Sequence, residues 1–220
     1  DIARNRKWSN LSMHSRIVLL MNGTLITLGF LFFVAVEKLT PLAAFFQSVT
    51  TRTAGFNTVD ISSFSQAGLL FAMLLMFIGA SPGSTGGGIK TTTTFALLLS
   101  LGSLMFRRES AAFKRKVSGE SILKAFQVLL LSFLLVLLGS LSLLLIEQDA
   151  FDFVAVLFET VSAFATVGLS CGITPSLSTL SKVVLVVIMF AGRVGPITIA
   201  TSLKAKSSHL GYIEEQIFIG

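Results

Sequence analysis

Apolar runs of different lengths alternate along this chain of 220 residues. The runs at 16–36, which Asn22 and Thr24 interrupt, and at 122–146 have about the twenty residues that a helix needs to cross a membrane. The runs at 42–51 and 153–164 are too short to cross and are typical of re-entrant helices. The pattern therefore predicts an all-α membrane protein in which long and short helices alternate.

Two further apolar runs are interrupted by glycine and proline. A straight helix over 67–106 would be about 60 Å long, about twice the thickness of the membrane core, and residues 81–88 divide it. A last run begins at 183, is interrupted at 192–196 and resumes to about 203. We therefore predict two broken helices. Non-helical backbone at membrane depth needs protein or a water-filled cavity around it, so a loop outside the membrane at 81–88 stays the alternative.

A constant spacing indicates an internal duplication. Gly55 and Gly168 are 113 residues apart, and the same offset separates three further pairs of residues. These pairs are Phe45 and Phe158, Phe77 and Phe190, and Gly79 and Gly192. Both units begin and end beside basic segments, so we predict parallel and not inverted repeats. Each unit consists of a long helix, a short helix, a loop and a broken helix.

The loop after each short helix is the candidate functional site. These loops contain Thr53, Ala54 and Gly55 in the first unit, and Thr166, Val167 and Gly168 in the second. A half-helix that enters from outside must leave on the same side, so the loop runs extended with its carbonyls unpaired. Such carbonyls can replace the hydration shell of a cation, and glycine allows successive carbonyls to face one axis. The alternative is that the glycines only permit close helix packing near a turn.

Composition and charge agree with a membrane protein. The chain is 53% hydrophobic with a mean hydropathy of +0.84, and only 13% of its residues are charged, whereas soluble domains have about 25%. The net charge of +6 lies mostly in three basic clusters, which argues against a nucleic-acid partner. Excess Lys and Arg marks cytoplasmic segments, although basic segments also bind anionic lipids. The clusters comprise Arg4, Arg6, Lys7 and Arg16; Arg107, Arg108, Lys114, Arg115, Lys116 and Lys124; and Lys204 and Lys206.

Two cations outside these clusters are candidates for control of a cation path. Arg193 lies within the interruption of the last run, where its charge would obstruct a cation. A salt bridge with Glu159 is the alternative for Arg193. Lys90 follows the 81–88 segment, and it belongs either to a gate or to the cytoplasmic interface, where its ammonium would snorkel.

The sequence offers little for catalysis. Cys171 is the only cysteine, so no intrachain disulfide forms. The two histidines, His14 and His209, lie in the flanking segments, and no nucleophile–base pair or metal cluster is evident. We therefore expect a protein that is not an enzyme. The polar start without Met predicts a fragment or a processed product.

Three long motifs resemble the Trk/Ktr/HKT superfamily of potassium transporters, and most closely its bacterial Ktr branch. They are TRTAGFNT at 51–58, GASPGSTGGGIKT at 79–91 and AGRVGP at 191–196. The resemblance implies four M1–P–M2 units around one pore, of which this chain would supply the third and fourth. The remaining units would lie in a missing N-terminal half of the same polypeptide.

The resemblance also implies roles for residues and partners. It implies K+ at the carbonyls of the two loops, and a mobile intramembrane gate beneath them with Arg193 facing it. That gate would comprise Ser81, Pro82, Gly83, Ser84, Thr85, Gly86, Gly87, Gly88 and Lys90. It further implies a homodimer in the bacterial plasma membrane and a cytosolic RCK-type regulatory ring that holds the nucleotide. The contact surfaces would be the basic loop and the tail at 204–220. No covalent cofactor is implied, and Na+ stays open as a second ion.

The predicted organisation has five parts. They are a cytoplasmic segment at 1–15, a third repeat at 16–106, a basic cytoplasmic loop at 107–121, a fourth repeat at 122–203 and a cytoplasmic tail at 204–220. A multi-pass potassium-uptake subunit is the main prediction. A secondary transporter with a broken-helix substrate site and a membrane scaffold without transport are the alternatives.

Overall fold

The computed structural model describes residues 11–107, 109–113, 115–148, 150–195 and 198. Seven α-helices and one short hairpin are the regular elements of these residues, together with two single 3₁₀ turns. In chain order the helices are α1 (Met13–Ala35), α2 (Pro41–Thr50), α3 (Gln66–Phe77), α4 (Thr91–Phe106), α5 (Gly119–Glu147), α6 (Phe153–Phe164) and α7 (Thr179–Val194). The 3₁₀ turns are Ile61–Ser63 and Thr174–Ser176.

Two helices are long and apolar enough to cross a membrane. Helix α1 has 23 residues and α5 has 29, and little of either is buried inside the chain. Each begins at a serine, Ser12 or Ser118, whose hydroxyl accepts a hydrogen bond from a backbone N–H of the first turn. Such a cap satisfies one of the donors that a helix start leaves free. Both helices begin about three residues before the apolar runs do, because polar cap and first-turn residues precede each run.

The short helix α6 lies in the interior, whereas α2 is buried on one face only, with Leu42 and Phe45 exposed. Helix α2 starts with Pro41 after the cap residue Thr40, and α6 starts after the cap residue Asp152. The fixed φ of proline and its missing N–H suit the first helical position. Eight of the twelve residues of α6 are buried, including Glu159. Each short helix ends directly before one of the two candidate loops.

A non-helical segment separates α3 from α4. It runs from Ile78 to Lys90, and its two ends approach each other, since the Ile89 N–H donates to the Phe77 carbonyl over 3.0 Å. Ile78 and Ile89 also form an isolated parallel bridge. We call this closure, formed by residues 77–79 and 87–89, the neck. The segment is therefore a closed loop that connects α3 to α4.

Helix α7 corrects the predicted interruption of the last run. Gly192 and Arg193 are helical, and α7 continues to Val194 before Gly195 ends it with a φ of 93°. Gly192 serves close packing: a Cβ built at this position would collide with the backbone carbonyl of Phe164. The prediction of a break at Gly192 and Arg193 was therefore wrong. Pro196 and most of the continuation to 203 lie outside the described residues.

A carboxylate caps the start of α3 and another caps the start of α7. Glu37 accepts hydrogen bonds from the N–H and the hydroxyl of Ser65, over 3.2 and 2.5 Å. Glu147 does the same for Ser178, over 2.9 and 2.8 Å. Negative charge is favourable at a helix N-terminus. These contacts tie the end of each long helix to the start of a later one.

The basic segment between α4 and α5 folds back on itself. Strand Ala111–Ala112 pairs antiparallel with strand Arg115–Lys116, and α5 begins at Gly119, inside the predicted loop at 107–121. The ion pairs of the described chain are Lys116–Glu109 and Lys124–Glu120, at 3.0 and 2.6 Å. The first cluster apart from Arg16, the cluster at Lys204 and Lys206, and the tail at 204–220 lie outside the described residues.

Apolar side chains join the two halves of the chain. The rings of Phe77, at the end of α3, and Phe164, at the end of α6, lie 5.7 Å apart between centroids. Phe33, Phe158 and Met76 are fully buried in the same cluster. Such side chains stabilise the fold by their van der Waals contacts with one another, the interaction that holds apolar helices together in a membrane. This core therefore holds the ends of α3 and α6, and the loops next to them, close together.

Candidate functional site

The first candidate loop turns sharply at the end of α2. The N–H groups of Ala54 and Gly55 both donate to the Thr50 carbonyl, over 3.1 and 3.3 Å. The Thr50 hydroxyl donates to the Phe56 carbonyl over 2.5 Å. Thr53 and Gly55 have φ values of 68° and 76°. The loop is thus held by its own helix, with two residues in the left-handed region.

The second loop has the same backbone form at the end of α6. The Val167 N–H donates to the Ser162 carbonyl over 2.9 Å, and the Gly168 N–H donates to the Ser162 hydroxyl over 3.2 Å. Thr166 and Gly168 have φ values of 54° and 93°. A positive φ is unusual for a β-branched residue and costs of order 1–3 kcal/mol. Threonine nevertheless occupies this conformation in both loops, 113 residues apart.

The carbonyl oxygens of both loops are left without protein partners. Among the residues that the structure describes, none donates a hydrogen bond to any of six carbonyls. These carbonyls belong to Thr53, Ala54, Gly55, Thr166, Val167 and Gly168. Of these six residues only Val167 is buried, and Ala54 and Gly168 are exposed, so most of these carbonyls are open to a ligand. Carbonyl oxygens are ligands that hard cations accept. The described residues contain no cluster of three His, Cys, Asp or Glu side chains that would offer a different kind of metal site.

The two loops touch each other. A Cβ built at Gly55 would collide with the Val167 carbonyl oxygen, and a Cβ built at Gly168 would lie 3.9 Å from the Gly55 Cα. Only glycine fits at position 55, both for its φ and for this approach. The structure therefore brings all six predicted loop residues to one place.

Glu159 supports the second loop from behind. This carboxylate is 5% exposed and accepts hydrogen bonds from the Ser170 hydroxyl (2.5 Å), the Cys171 N–H (3.0 Å) and the Thr174 hydroxyl (2.8 Å). It also lines a cavity of about 310 Å³ beside Thr166 and the residues that follow it. The alternative of a salt bridge between Glu159 and Arg193 is wrong. In the sequence, the signal for this supporting role was an acidic residue within the apolar run that precedes the loop.

The segment between α3 and α4 lies against both loops. The Gly87 N–H donates to the Thr166 hydroxyl over 2.7 Å. A Cβ built at Gly86 would come within 2.6 Å of the Thr53 hydroxyl oxygen. The Lys90 ammonium donates to the Gly86 carbonyl. The predicted gate residues are thus in contact with the predicted ion-binding loops.

The predicted gate residues divide into three groups. Ser81 and Pro82 are partly buried next to the neck, and Gly83, Ser84 and Thr85 form an exposed tip. Gly86 and Gly87 pack against the loops, whereas Gly88 packs against Phe77 and Gly79 in the neck. Arg193 lies on α7 with an exposed side chain. It directly follows Gly192, which packs against Phe164 at the end of α6, and so lies close to the start of the second loop in space.

Sequence reasoning gave no role to a polar network around Arg52. The Arg52 guanidinium donates to the carbonyls of Ile78 and Gly79 over 2.7 and 3.0 Å, and to the Asn22 side chain over 3.3 Å. Asn22 in turn donates to the Ser81 hydroxyl over 2.8 Å. These contacts link α1, the end of α2 and the neck. The isolated charge of Arg52 within an apolar region was the signal that it has a specific partner.

The fold and the site define a class of protein: a mainly helical protein with membrane-length helices, in which short helices present carbonyl-lined loops. The chain belongs to the TrkH family of cation transport proteins, whose family model matches residues 23–209. This membership confirms the resemblance found in the sequence, and it makes the chain part of a membrane protein.

Individual relatives agree with this assignment. The chain is 39% identical over its whole length to the Ktr system potassium uptake protein B of Bacillus subtilis, of which it covers 52%. It is 34% identical over its whole length to the potassium/sodium uptake protein NtpJ of Enterococcus hirae, of which it covers 53%. The fold is similar to that of the potassium transporter TrkH from Vibrio parahaemolyticus, with a TM-score of 0.66, 23% identity, and coverage of 87% of this chain and 44% of TrkH. The chain therefore spans about half the length of the relatives it matches.

Proposed function

We propose that the chain is the C-terminal half of the membrane-embedded, ion-translocating subunit of a potassium uptake system. It contributes two of four M1–P–M2 repeats, with α2 and α6 as pore helices. The observation that carries this proposal is the pair of touching loops with matching positive φ values and six unpartnered carbonyls. The names of the uptake proteins among its relatives support potassium as the ion.

The duplicated geometry supports the repeat architecture. The 3₁₀ turns begin at Ile61 and Thr174, and helices α3 and α7 begin at Gln66 and Thr179, so both pairs are 113 residues apart. The capping serines Ser65 and Ser178 keep the same offset. Because the two loops touch side by side, two further loops from the missing half would complete a ring of carbonyls around one ion.

The segment from Ser81 to Gly88, with Lys90 and Arg193, acts as the gate in this proposal. Its support is the contact of Gly86 and Gly87 with the two filter threonines. Lys90 donates to the Gly86 carbonyl, and Arg193 follows Gly192, which packs against the end of α6. A cation that leaves the filter towards the segment would meet it and these two positive charges. The dimer, the RCK-type ring with its nucleotide, the cytoplasmic side of the basic segments and any coupling to Na+ belong to the same proposal.

The filter is tested with Gly168→Ser in the complete transporter. Gly168 has a φ of 93°, a region that serine adopts only with strain, so the substitution rotates the neighbouring carbonyls. We expect K+ uptake to lose its preference over Na+, measured as competition between the two ions in cells that lack other K+ uptake systems. Gly23→Ser is the control, because Gly23 is exposed on α1 with nothing within 4 Å of a built Cβ.

Two results would contradict this proposal. Unchanged ion preference in the Gly168→Ser variant would remove the second loop from the filter. Transport of an organic or anionic substrate in place of K+ would favour a secondary transporter with a broken-helix site.

A further inference from the structure

We infer that Arg52 is a positioning residue that fixes the neck of the gate segment to the first filter loop, so that only the tip moves. This inference rests on the proposed function, because it describes how the gate of that pathway is held. Arg52 is not one of the six residues whose carbonyls line the proposed ion path. Among the described residues, its side chain forms no ion pair either.

The Arg52 side chain satisfies backbone carbonyls that would otherwise lack a partner. Helix α3 ends at Phe77, and Ile78 is its cap residue, so the carbonyls of Ile78 and Gly79 lie beyond the helical hydrogen bonds. The C-terminus of a helix also carries partial negative charge. A guanidinium with two N–H groups on two successive carbonyls, at 2.7 and 3.0 Å, meets both needs.

The same network reaches the first residues of the segment through Asn22. Its side-chain oxygen accepts from Arg52, and its amide nitrogen donates to the Ser81 hydroxyl and to the Val18 carbonyl of α1. Residues 78–81 are therefore held by α1 and by the end of α2 together. Beyond them, Gly83, Ser84 and Thr85 are exposed. Pro82 therefore marks the boundary between residues 78–81, which the network holds, and the exposed tip at 83–85.

The neck transmits this restraint to the other arm of the segment. The Ile89 N–H donates to the Phe77 carbonyl, and a Cβ built at Gly79 would collide with the Gly87 carbonyl. With both arms joined, the neck cannot move without breaking the contacts of Arg52. The tip is the exposed part of the segment, and the hydrogen bonds that it makes run to Ser81 within the segment, from the N–H and the hydroxyl of Ser84. In this inference it moves as a unit while the neck stays in place.

The position of Arg52 in the chain makes the restraint specific to the filter. Arg52 directly precedes Thr53, whose hydroxyl lies against Gly86 in the other arm. The distance between the neck and the first filter loop is therefore set by one side chain. If this side chain is removed, the neck can move away from the two loops, and the proposed ion path next to the loops opens.

The test uses the complete transporter, assayed for K+ flux without its regulatory partner. Arg52→Gln loses the charge-assisted hydrogen bonds to both carbonyls. The loss of one such bond already corresponds to about a tenfold change in population, so we expect the basal flux to rise at least about tenfold. Arg52→Lys keeps the charge but reaches one carbonyl in place of two, so we expect a smaller rise. The control is Lys182→Gln, because Lys182 is an exposed cation that also donates to a loop carbonyl, that of Pro175, over 3.0 Å.

Ion preference separates positioning of the gate from general support of the filter. We expect Arg52→Gln to keep its preference for K+ over Na+ while its basal flux rises. If Arg52 only supported the structure of the filter, Arg52→Gln would change the preference for K+ over Na+ and leave the basal flux low. That result would overturn the inference. If Arg52→Gln fails to reach the membrane, Arg52→Lys and Asn22→Ala provide the test, because each removes only part of the network. An unchanged basal flux in both variants would also overturn the inference.

A tip deletion distinguishes this inference from the proposed function. Removal of Gly83, Ser84 and Thr85 should raise basal flux whether or not Arg52 holds the neck. If the tip deletion raises flux and Arg52→Gln does not, the gate stands and the inference fails. If the complete wild-type transporter does not take up K+, the proposed function itself fails. We expect the double variant to add little to the larger single effect, because both act on one element.

Discussion

Two threonines with positive φ values, Thr53 and Thr166, show what the loops demand of single residues. Each costs of order 1–3 kcal/mol in backbone strain, and each is held by hydrogen bonds between the loop and the preceding helix. The threonine hydroxyls also face the gate segment. Glycine at these positions would relieve the backbone strain, but it would lose the hydroxyl that contacts the gate segment.

At the same scale, Glu159 should determine how well the second filter loop is held. Glu159→Gln removes the charge and one acceptor from a carboxylate that accepts three hydrogen bonds. We expect the transporter to lose about 1–3 kcal/mol of stability and part of its preference for K+. Both are measurable on the same purified protein, by unfolding in detergent and by flux in vesicles.

Glu37→Gln is the matched control for Glu159→Gln. Glu37 also accepts hydrogen bonds from a serine and a backbone N–H, but both come from Ser65 at the start of α3 and not from a residue of either loop. Its loss should reduce stability without any change of ion preference. Equal effects of the two variants on preference would contradict a specific role of Glu159.

Residues that act through long-range backbone contacts were the hardest to predict. The sequence marks Arg52 as an isolated charge and Glu159 as a buried acid, but their partners are backbone groups and hydroxyls at distant positions. Backbone carbonyls carry no residue-specific signal. The residues of the two candidate loops were easier to single out, because their glycines and threonines recur at a fixed offset; their role as a filter stays a prediction.

At the scale of elements, the helix lengths followed the apolar runs closely. The structure has α6 at Phe153–Phe164, as the run of apolar residues predicts, and α2 lies within one residue of its run. The 3₁₀ turns were not anticipated, because three residues carry no periodicity. The interruption at Gly192 was predicted wrongly, since a glycine that permits close packing and a glycine that ends a helix look alike in sequence.

The packing of α7 against α6 gives a test of that correction. In Gly192→Ala the new Cβ would collide with the Phe164 carbonyl, whose backbone cannot give way easily. Such overpacking costs about 1–3 kcal/mol, so we expect a lower unfolding temperature of the complete protein in detergent. Gly102→Ala on α4 is the control: its Cβ meets nothing within 4 Å, and alanine favours a helix over glycine by about 1 kcal/mol.

A flexible break at Gly192 would give the opposite order of results. If the residue only loosened the helix, Gly192→Ala would stabilise the protein as Gly102→Ala does. A stability equal to or above that of the Gly102→Ala variant would therefore contradict the packing role.

At the scale of the whole molecule, the chain spans about half the length of the relatives it matches, and in the proposed architecture it is one part of an assembly. The two filter loops contact each other on one side, and large apolar side chains such as Leu130 and Leu145 are exposed on α5. In the proposed architecture these surfaces face lipid or the other repeats. Sequence alone predicted the helical membrane class and the family, because both depend on features spread over most of the chain.

The proposed orientation in the membrane makes a direct prediction. In a Cys171→Ser background, a cysteine in place of Thr58 should react with an impermeant maleimide added to intact cells. A cysteine in place of Ala111, in the basic hairpin, should react only after the cells are permeabilised. Both positions are exposed, so the difference reports the side of the membrane. Reaction of the Ala111 variant in intact cells would contradict a cytoplasmic hairpin.

The neck has a consequence for how such a segment can change its length. Since residues 77–79 and 87–89 are joined to each other, an insertion in the tip lengthens a closed loop and leaves the ends of α3 and α4 in place. The entropic cost of closing a loop rises by only about 0.6 kcal/mol for each doubling of its length. The reach of the tip can therefore be extended at little thermodynamic cost, while the helices around the filter keep their register.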